Sequence, residues 1–426
     1  MNKKKIIIQN LTIPGLAKPW LLNIDQTGLF FAEDGDIVVT RRPVEKPFLE
    51  YLRELGLVPM DTEFIYPEEQ NGVDTKFDAI FESQTVSQEL RAYQESHILQ
   101  TFYLTEYELA FSKKTGLPIC GDPQFSITYN NKSNFRKLLK NLQIPLPQGT
   151  ENVTREGLAD ALDQLFRDSV EVAVVKQNAG SGGYGNFLIH REIFMNMTAE
   201  ERKSLLSHKI SNLIYSDAST EFVVEEFLYG VSASPSIFFE CGMSSKKLEP
   251  LFIHDQILMG SEGYYGGCTS MVSGVGERGR QLVAAYSGRI RDHLCRISDK
   301  ITFLGLDAVV TKGEEVYFID SNIRMVAGYI PFTVSQKISG ARPLQYFNVK
   351  FAAPLAHLPS VEKLMRFLRA MLYPQGGFLR GVVILATFPF RFSGKELRYI
   401  DCLCLDEDLS GAERIKNQLS RILHSL

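Results

Sequence analysis

Short apolar runs alternate with amphipathic segments along roughly the first 120 residues of this chain. KIIIQ, DIVVT and FDAIF have the length and the β-branched or aromatic content of strands. Between them, Pro47 opens a segment whose apolar positions recur at helical spacing and which ends at Gly56. A later helix is predicted where Thr105 and Glu108 have the spacing of a capping box. This alternation predicts a small α/β domain over residues 1–125.

The hydrophobic pattern changes near residue 126. NNKSNFRKLLKNLQ predicts a basic amphipathic helix, and TEFVVEEF and GLDAVV predict strands. Between these strands, residues 249–276 are rich in glycine, serine and tyrosine, and we expect loops that line a cleft. We assign residues 126–345 to one central region.

Residues 346–426 predict a small α+β domain, with the amphipathic helix VEKLMRFLRAML and a hairpin that turns at residues 393–395. Lys363, Arg366 and Arg369 recur along one side of that helix. A solvated face opposite the core is favoured, while contact with nucleic acid or an anionic peptide stays open.

Composition narrows the classes of function. The 426 residues are 44% hydrophobic and 23% charged, as in soluble globular proteins, and the net charge of −4 gives no general attraction to nucleic acid. The apolar stretch GVVILATFPF has about half the ~20 residues of a membrane span, so no membrane partner is predicted. The six cysteines lack metal-binding spacing, and Cys402 and Cys404 are expected to pack in a core. A cytoplasmic protein is expected.

A lysine followed by a glycine-rich loop is the first candidate for chemistry. Gly180, Gly182 and Gly185 fit the pattern GxGxxG, but an apolar run, NFLIH, follows the loop where a dinucleotide site needs a helix. The loop is therefore predicted to be the tip of a hairpin. Its backbone N–H groups and Lys176 would cover phosphate groups. A purely structural hairpin is the alternative.

Two predicted strands, GLDAVV and VYFIDSN, carry a second candidate site. Asp307 lies on the first strand, and Asp320 and Asn322, two residues apart, share one face of the second. Three oxygen-bearing side chains on one surface suit Mg²⁺, which is held by a few carboxylates together with phosphate and water oxygens. A strand pair with polar outward faces is the alternative.

The strand VVEEFLYG lies between these two candidates. Its end would pass beside an adenine ring, whose edge the backbone can read while Phe227 and Leu228 pack on it. Glu225 and Glu226 would then face the nucleotide. The alternative is a solvated acidic pair at the end of a strand.

The order of these elements resembles the signature of the ATP-grasp superfamily. That signature has one lysine before the nucleotide domain, a second before a glycine-rich hairpin, an acidic strand and a final D…[DE]-x-N. These places are occupied by Lys132, Lys176, Glu225, Asp307, Asp320 and Asn322.

The resemblance implies a role for each position. Lys132 and Lys176 would hold ATP phosphates beneath a lid that contains Gly182, Gly183 and Gly185. The segment 225–228 would bind adenine and ribose, and Asp307, Asp320 and Asn322 would hold Mg²⁺. Arg324, in the N-x-R pattern of many ligases of the superfamily, would stabilise an acyl phosphate and a tetrahedral intermediate.

Both ends of the chain resemble one branch of the superfamily, the pheganomycin-type peptide ligases. The resemblance implies an ATP-grasp fold with an N-terminal pre-ATP-grasp α/β domain and a small C-terminal α+β domain. Two positions depart from the common pattern. Ser232 stands where many members have an acidic ribose ligand, and Gly305 stands where many ligases have an arginine.

The predicted function is ATP-dependent ligation of a carboxylate to an amine through an acyl phosphate, with release of ADP and phosphate. Its partners would be small molecules, namely a carboxylate such as an amino acid and an amine or peptide. Asp255, Gln256 and Tyr265 are the substrate candidates, and His254 is expected to be mainly structural. An ATP-grasp small-molecule kinase and a non-catalytic ATP-binding module are the alternatives, and a homodimer stays open.

Overall fold

The computed structural model describes residues 3–10, 24–68, 79–178, 180, 182–183, 185–213, 221–241, 248–260, 263–340, 344–392 and 394–426. The strands are β1 Lys4–Ile8, β2 Ile37–Val39, β3 Glu63–Ile65, β4 His97–Thr101, β5 Gly149–Thr154, β6 Val172–Gln177, β7 Asn186–His190, β8 Glu221–Glu226, β9 Val231–Ala233, β10 Pro235–Cys241, β11 Leu248–Met259, β12 Tyr264–Thr269, β13 Phe303–Thr311, β14 Val316–Asn322, β15 Gln345–Pro354, β16 Gly381–Phe392 and β17 Lys395–Asp406.

The helices pack against the sheets that these strands form. They are α1 Lys46–Glu54, α2 Ala79–Glu82, α3 Gln84–Leu90, α4 Glu106–Thr115, α5 Pro123–Tyr129, α6 Lys132–Asn141, α7 Leu158–Arg167, α8 Arg191–Met195, α9 Ala199–Ser211, α10 Glu277–Ile297, α11 Tyr329–Ser339, α12 Val361–Leu368 and α13 Leu409–His424. None of the helices in the described ranges is long and apolar enough to cross a membrane.

The N-terminal sheet has the strand order β3-β2-β1-β4, and all its pairs are parallel. Ile6, Ile7 and Ile8 are fully buried, as expected for a parallel strand covered on both faces. The capping box of Thr105 and Glu108 opens α4 as predicted. The prediction of a strand at FDAIF is wrong, because its described part belongs to α2. A short apolar run has no periodicity that separates a strand from a buried helix.

A four-stranded antiparallel sheet follows, with the order β5-β8-β6-β7. The predicted hairpin is confirmed, since β6 and β7 pair from Val172 opposite His190 to Lys176 opposite Asn186. Helix α7 covers the sheet with Leu158, Leu162 and other buried apolar side chains. The sheet therefore projects the glycine-rich loop from two rigid strands.

The largest sheet has nine strands in the order β14-β13-β10-β11-β12-β15-β17-β16, with β9 paired to β13. The predicted pair of strands that carries the acids is confirmed as β13 and β14. Loops were expected over residues 249–276, but most of that stretch forms β11 and β12. Its glycines mark a close approach of two strands, because a Cβ on Gly267 would lie 2.1 Å from the carbonyl oxygen of Asn348.

The C-terminal strands continue the same large sheet. β15 pairs with β12 on one side and with β17 on the other, and one core joins Phe30 and Phe48 near the N-terminus to Val382 and Leu403 near the C-terminus. Cys402 and Cys404 are free and fully buried in it, as predicted. The domain boundaries at residues 125 and 345 stay predictions.

Candidate active site

One cavity of about 440 Å³ brings three parts of the chain together: the β6–β7 hairpin, the acid-bearing strands and the C-terminal strands. Most of the residues predicted for the site line it, namely Lys132, Lys176, Gly182, Gly183, Gly185, Gln256, Tyr265, Asp307, Asp320, Asn322 and Arg324. Five predicted residues are not in its wall, namely Glu225, Glu226, Phe227, Leu228 and Asp255.

Helix α6 places the first lysine. The side chain of Asn131 caps the helix by accepting a hydrogen bond from the Asn134 N–H, which fixes Lys132 in the first turn. Lys132 Nζ lies 3.2 Å from a carboxylate oxygen of Asp320 and donates to the Gly180 carbonyl, also at 3.2 Å. A buried ammonium therefore links the glycine-rich loop to the acids.

The second lysine projects from β6 into a buried charge cluster. Lys176 Nζ contacts one carboxylate oxygen of Glu225, and Arg136 Nη1 donates to the other at 2.6 Å. Arg136 was missed, although it lies four residues after Lys132 and hence on the same side of the helix. Glu225 thus has two cationic partners, so it is not the solvated acid of the alternative interpretation.

The rest of the predicted adenine segment, residues 226–228, lies at the end of β8 and just beyond it. The Glu226 carboxylate accepts from the Gln148 N–H at 2.8 Å, and the Phe227 N–H donates to the Val172 carbonyl at 2.9 Å. The Phe227 ring packs edge-on against Tyr229, which is 60% exposed. Adenine binding by residues 225–228 stays a prediction, because this segment lies outside the cavity wall.

The two predicted acids lie directly opposite each other on β13 and β14. Asp307 accepts from Gln256 Nε2 at 2.7 Å and from Asn322 Nδ2 at 2.9 Å. Burial, and then the charge of Asp320, raises the pKa of Asp307 to about 6. Ionising this pair in the interior therefore calls for a nearby cation.

The fit of a metal ion depends on these acids. In the described ranges no group of three or more His, Cys, Asp and Glu side chains could hold a metal. Two facing carboxylates still suit Mg²⁺, which takes its other ligands from phosphate and water. The Asn322 amide oxygen, however, accepts from Arg324 Nη2 at 2.6 Å. The two acids would hold the ion after exchanging their contacts with Gln256, Asn322 and Lys132, and the amide would have to turn towards it.

Arg324 lies between the acids and the N-terminal domain. Its guanidinium is 4.2 Å from the centre of the Tyr103 ring and 5.3 Å from that of Phe102. It also donates to the Met325 carbonyl at 2.7 Å. The aromatic pair, which follows β4, was not predicted. It holds the charged group at the cavity wall.

The loop of the hairpin touches the large sheet. Gly182 and Gly183 have φ of +66° and +79°, and the Tyr265 N–H donates to the Gly182 carbonyl at 3.1 Å. A Cβ on Gly183 would lie 2.7 Å from the Gly263 carbonyl oxygen. Glycine is needed here because both the dihedral angle and the close backbone approach exclude a side chain.

The three substrate candidates differ in position. Gln256 and Tyr265 line the cavity. Asp255, the neighbour of Gln256 on a strand, points to the other face and accepts from the Ser234 N–H at 2.7 Å. Burial raises the pKa of Asp255 to about 6. Asp255 therefore does not reach the cavity.

His254 is a buried residue of the same wall. It is 2% exposed, and its ring stacks on Phe252 with centres 5.5 Å apart. Burial lowers the pKa of His254 to about 4, and Nδ1 has no hydrogen-bond partner among the described residues. The imidazole is neutral at pH 7.

The C-terminal strands complete the cavity with residues that were not predicted. Asn348 and Lys350 of β15, and Tyr399 and Asp401 of β17, line it. The sequence holds one signal for them, a charged Asp401 inside the apolar run YIDCLCL. This signal does not by itself indicate a cavity. The prediction of a separate small domain for residues 346–426 leaves out the pairing of β15 with β12, which brings these residues to the cavity.

Comparison with protein families matches two parts of the chain. Residues 26–117 match a Pre ATP-grasp domain, and residues 129–328 match an ATP-grasp domain. No curated protein sequence matches the chain.

Solved structures match nearly the whole chain. An ADP complex of an N5-carboxyaminoimidazole ribonucleotide synthetase has a TM-score of 0.62 and 12% identity, over 98% of this chain and 96% of that one. The same enzyme from Thermus thermophilus gives 0.58 and 14%, over 99% of both chains. Biotin carboxylase from Campylobacter jejuni gives 0.57 and 12%, over 96% and 89%. At these identities the likeness shows the fold alone, and the predicted fold is confirmed.

Proposed function

Because this chain belongs to the ATP-grasp superfamily and carries a pre-ATP-grasp domain, we propose that it is an ATP-dependent ligase that joins a carboxylate to an amine. The observation that carries the proposal is the convergence of Lys132, Lys176, Asp307, Asp320 and Arg324 on one cavity. These are the charges that phosphoryl transfer needs, and none of them has to act as a nucleophile.

In the proposed reaction a substrate carboxylate attacks the γ-phosphate of ATP, which gives an acyl phosphate and ADP. The amine then attacks the acyl carbon, and phosphate leaves as the amide forms. Lys132 and Lys176 bind the phosphate oxygens, and the glycine-rich loop covers them and keeps water out. Arg324, held by Tyr103 and Asn322, neutralises the oxygen that becomes negative at the acyl carbon.

Asp307 and Asp320 would hold Mg²⁺, which when bound neutralises negative charge on the phosphate oxygens. Lys132 contacts Asp320 in the structure, and Lys176 contacts Glu225. Both ammonium groups must therefore exchange a carboxylate for phosphate when ATP binds. Glu225 keeps Arg136 as its partner after this exchange.

The relatives suggest which substrates to test. One structurally similar synthetase was solved with ADP and 5-aminoimidazole ribonucleotide, and a similar biotin carboxylase domain was solved with ADP and bicarbonate. Bicarbonate therefore belongs among the carboxylates, besides amino acids and short peptides. Peptide-bond formation, as in the pheganomycin-type ligases, is the more specific form of our proposal.

The test is a matrix of carboxylates and amines incubated with ATP and Mg²⁺. ADP, phosphate and the products are measured, the last by mass spectrometry. A ligase gives an amide or carbamate, with phosphate release that depends on the amine. A phosphorylated product with no need for an amine would favour a kinase. ATP binding without ADP in any mixture would favour a non-catalytic module.

A further inference from the structure

The cavity extends beyond the proposed ATP site to the C-terminal strands. We call this part the distal end, formed by Asn348, Lys350, Tyr399 and Asp401 with the apolar Leu385 and Phe390. Lys350 and Asp401 are directly opposite in the register of β15 and β17, and Ala352 is opposite Tyr399. Side chains two residues apart on a strand share a face, so the four polar groups point to one side of the sheet.

Asp401 is held in place by its neighbours. The side chain is 8% exposed and accepts from Asn348 Nδ2 at 2.6 Å, with Tyr399 as a second hydrogen-bond partner. Burial raises the pKa of Asp401. The charge of Lys350, opposite on β15, and the hydrogen bonds from Asn348 and Tyr399 oppose this rise.

Lys350 is the cation of the distal end. Its Nζ lies 4.9 Å from the centre of the Tyr265 ring. No carboxylate oxygen of a described residue comes within 4.0 Å of that nitrogen. Lys132 and Lys176, at the other end of the cavity, each contact an acid. The half-buried ammonium thus has the Tyr265 ring against it and faces Asp401 on the neighbouring strand from beyond 4.0 Å, so it can still take a closer anion from a ligand.

The distal end lies within reach of the proposed chemistry. Gln256 of β11 donates to Asp307, and β15 is two strands away from β11 through β12. At about 4.8 Å per strand, β15 is roughly 10 Å from β11 and roughly 19 Å from β13, the strand that carries Asp307. An extended residue spans about 3.4 Å, and the lysine side chain covers part of the gap. One to three residues of substrate would therefore extend from Lys350 to Gln256, and a peptide of up to about five residues would extend as far as Asp307.

Resting on the function proposed above, we propose that Lys350 binds a carboxylate of the amine-bearing substrate. That substrate is accordingly an amino acid or a short peptide with a free carboxyl end, and not a simple amine. Leu385 and Phe390 are 1% and 5% exposed and form the apolar wall beside this site. They favour an apolar side chain on the residue that carries the carboxylate.

The test pairs each acid with its uncharged amide. L-leucine and L-leucyl-L-leucine are compared with their C-terminal carboxamides as acceptors, with the donor found in the substrate matrix. The wild-type kcat/KM should favour the acids by about tenfold or more, because a charge-assisted contact is lost in the amides. Lys350→Met should abolish that preference, and Lys350→Arg should retain most of it. Lys113→Met, at an exposed lysine of α4, should leave it unchanged.

Binding of the same four probes to the ADP-loaded protein, measured by calorimetry, provides a second readout that needs no turnover. An acid preference in binding that disappears in Lys350→Met, without turnover in any mixture, would retain the carboxylate site and overturn the ligase. Turnover with the same preference in wild type and Lys350→Met would overturn the carboxylate site and retain the ligase. If neither assay showed a preference that depends on Lys350, the carboxylate site would also be overturned.

Discussion

The two ends of the cavity hold their lysines in different ways. At the ATP end, Lys132 contacts the half-buried Asp320, Lys176 contacts the buried Glu225, and Glu225 has a second cation in Arg136. At the distal end, Lys350 lies against the Tyr265 ring, and no acid among the described residues is within 4.0 Å of its ammonium group. In the first arrangement each lysine already contacts an acid before any ligand arrives, whereas in the second the lysine faces Asp401 on the neighbouring strand but contacts no carboxylate of a described residue.

This difference predicts different responses to ligands. ATP with Mg²⁺ brings both signs of charge, so it can take over the lysines while the metal takes over the acids. A substrate carboxylate brings only negative charge, which a cation without an ion pair accepts with no exchange of partners. Variants at the ATP end should therefore change the chemistry, and variants at the distal end should change the choice of substrate.

Asp320→Ala has the largest expected effect. It removes one of the two facing acids and leaves Lys132 without its carboxylate. We expect kcat to fall by about 10³-fold or more, since phosphoryl transfer relies on charge neutralisation. The measurement is ADP release at saturating ATP and Mg²⁺.

The control is Asp299→Ala, at an exposed aspartate beyond α10, which should keep wild-type activity. Circular dichroism of both variants shows whether they fold. Substantial activity in a folded Asp320→Ala protein would remove the basis for placing Mg²⁺ at this pair.

Lys176→Met separates ATP binding from acceptor binding. The substitution removes a phosphate contact, while Glu225 retains its ion pair with Arg136. We expect kcat/KM for ATP to fall by roughly 10²-fold, with little change in the KM of the acceptor. Initial rates over a grid of both substrates measure the two constants.

The opposite pattern is expected for Lys350→Met. A change confined to the acceptor KM in Lys176→Met would show that the two ends had been assigned the wrong way round.

Local signals in the sequence were enough for the ATP end. The hairpin with Lys176, the capped helix with Lys132 and the spacing of Asp320 and Asn322 are each contained in about twenty residues. The position of Arg136 could also be predicted locally, because it lies on the same helix face as Lys132. Its missed ion pair needed the position of Glu225, which is 89 residues further along the chain.

The distal end depends on pairing between strands that are distant in sequence. β12 pairs with β15, with Gly267 opposite Val349, across more than 80 residues. No local pattern contains that order. The glycines of β12 resembled a loop, and β15 to β17 resembled a separate domain. Lys350 and Asp401 could not be brought to the cavity without the sheet that joins them.

Gly267→Ala tests the pairing of β12 with β15, which connects the two ends of the cavity. Its φ is +145°, and the added Cβ would lie 2.1 Å from the backbone oxygen of Asn348. Backbone atoms cannot move away as a flexible side chain can, so we expect the free energy of unfolding to fall by about 3 kcal/mol. Urea unfolding gives this value, and Asn348 should lose its alignment with Asp401.

Gly288→Ala is the matched control. Nothing lies within 4 Å of its Cβ position in α10, and alanine favours the helix by roughly 1 kcal/mol. This variant should be slightly more stable than the wild type. If the Gly267→Ala protein were as stable as the wild type, β12 and β15 would be further apart than the 2.1 Å approach requires.

His254→Phe gives the smallest expected effect and concerns the wall between the two ends. Burial lowers the pKa of His254 from 6.5 to about 4. As pH falls from 7 to 5 the unfolded chain binds a proton that the folded chain does not. The wild type therefore loses up to about 2 kcal/mol of stability over this interval. The variant should lose correspondingly less, as measured by urea unfolding at each pH.

The difference in slope between the two proteins is the quantity to compare, because other groups also titrate in this range. Burial raises the pKa of Asp307 and of Asp255 to about 6, so their contribution has the opposite sign. It is common to wild type and variant and cancels in the difference. His208→Phe, at an exposed position of α9, should keep the wild-type slope. If His254→Phe also kept the wild-type slope of stability against pH, the imidazole would be accessible to protons through the cavity. The wall between the two ends would then be open to water.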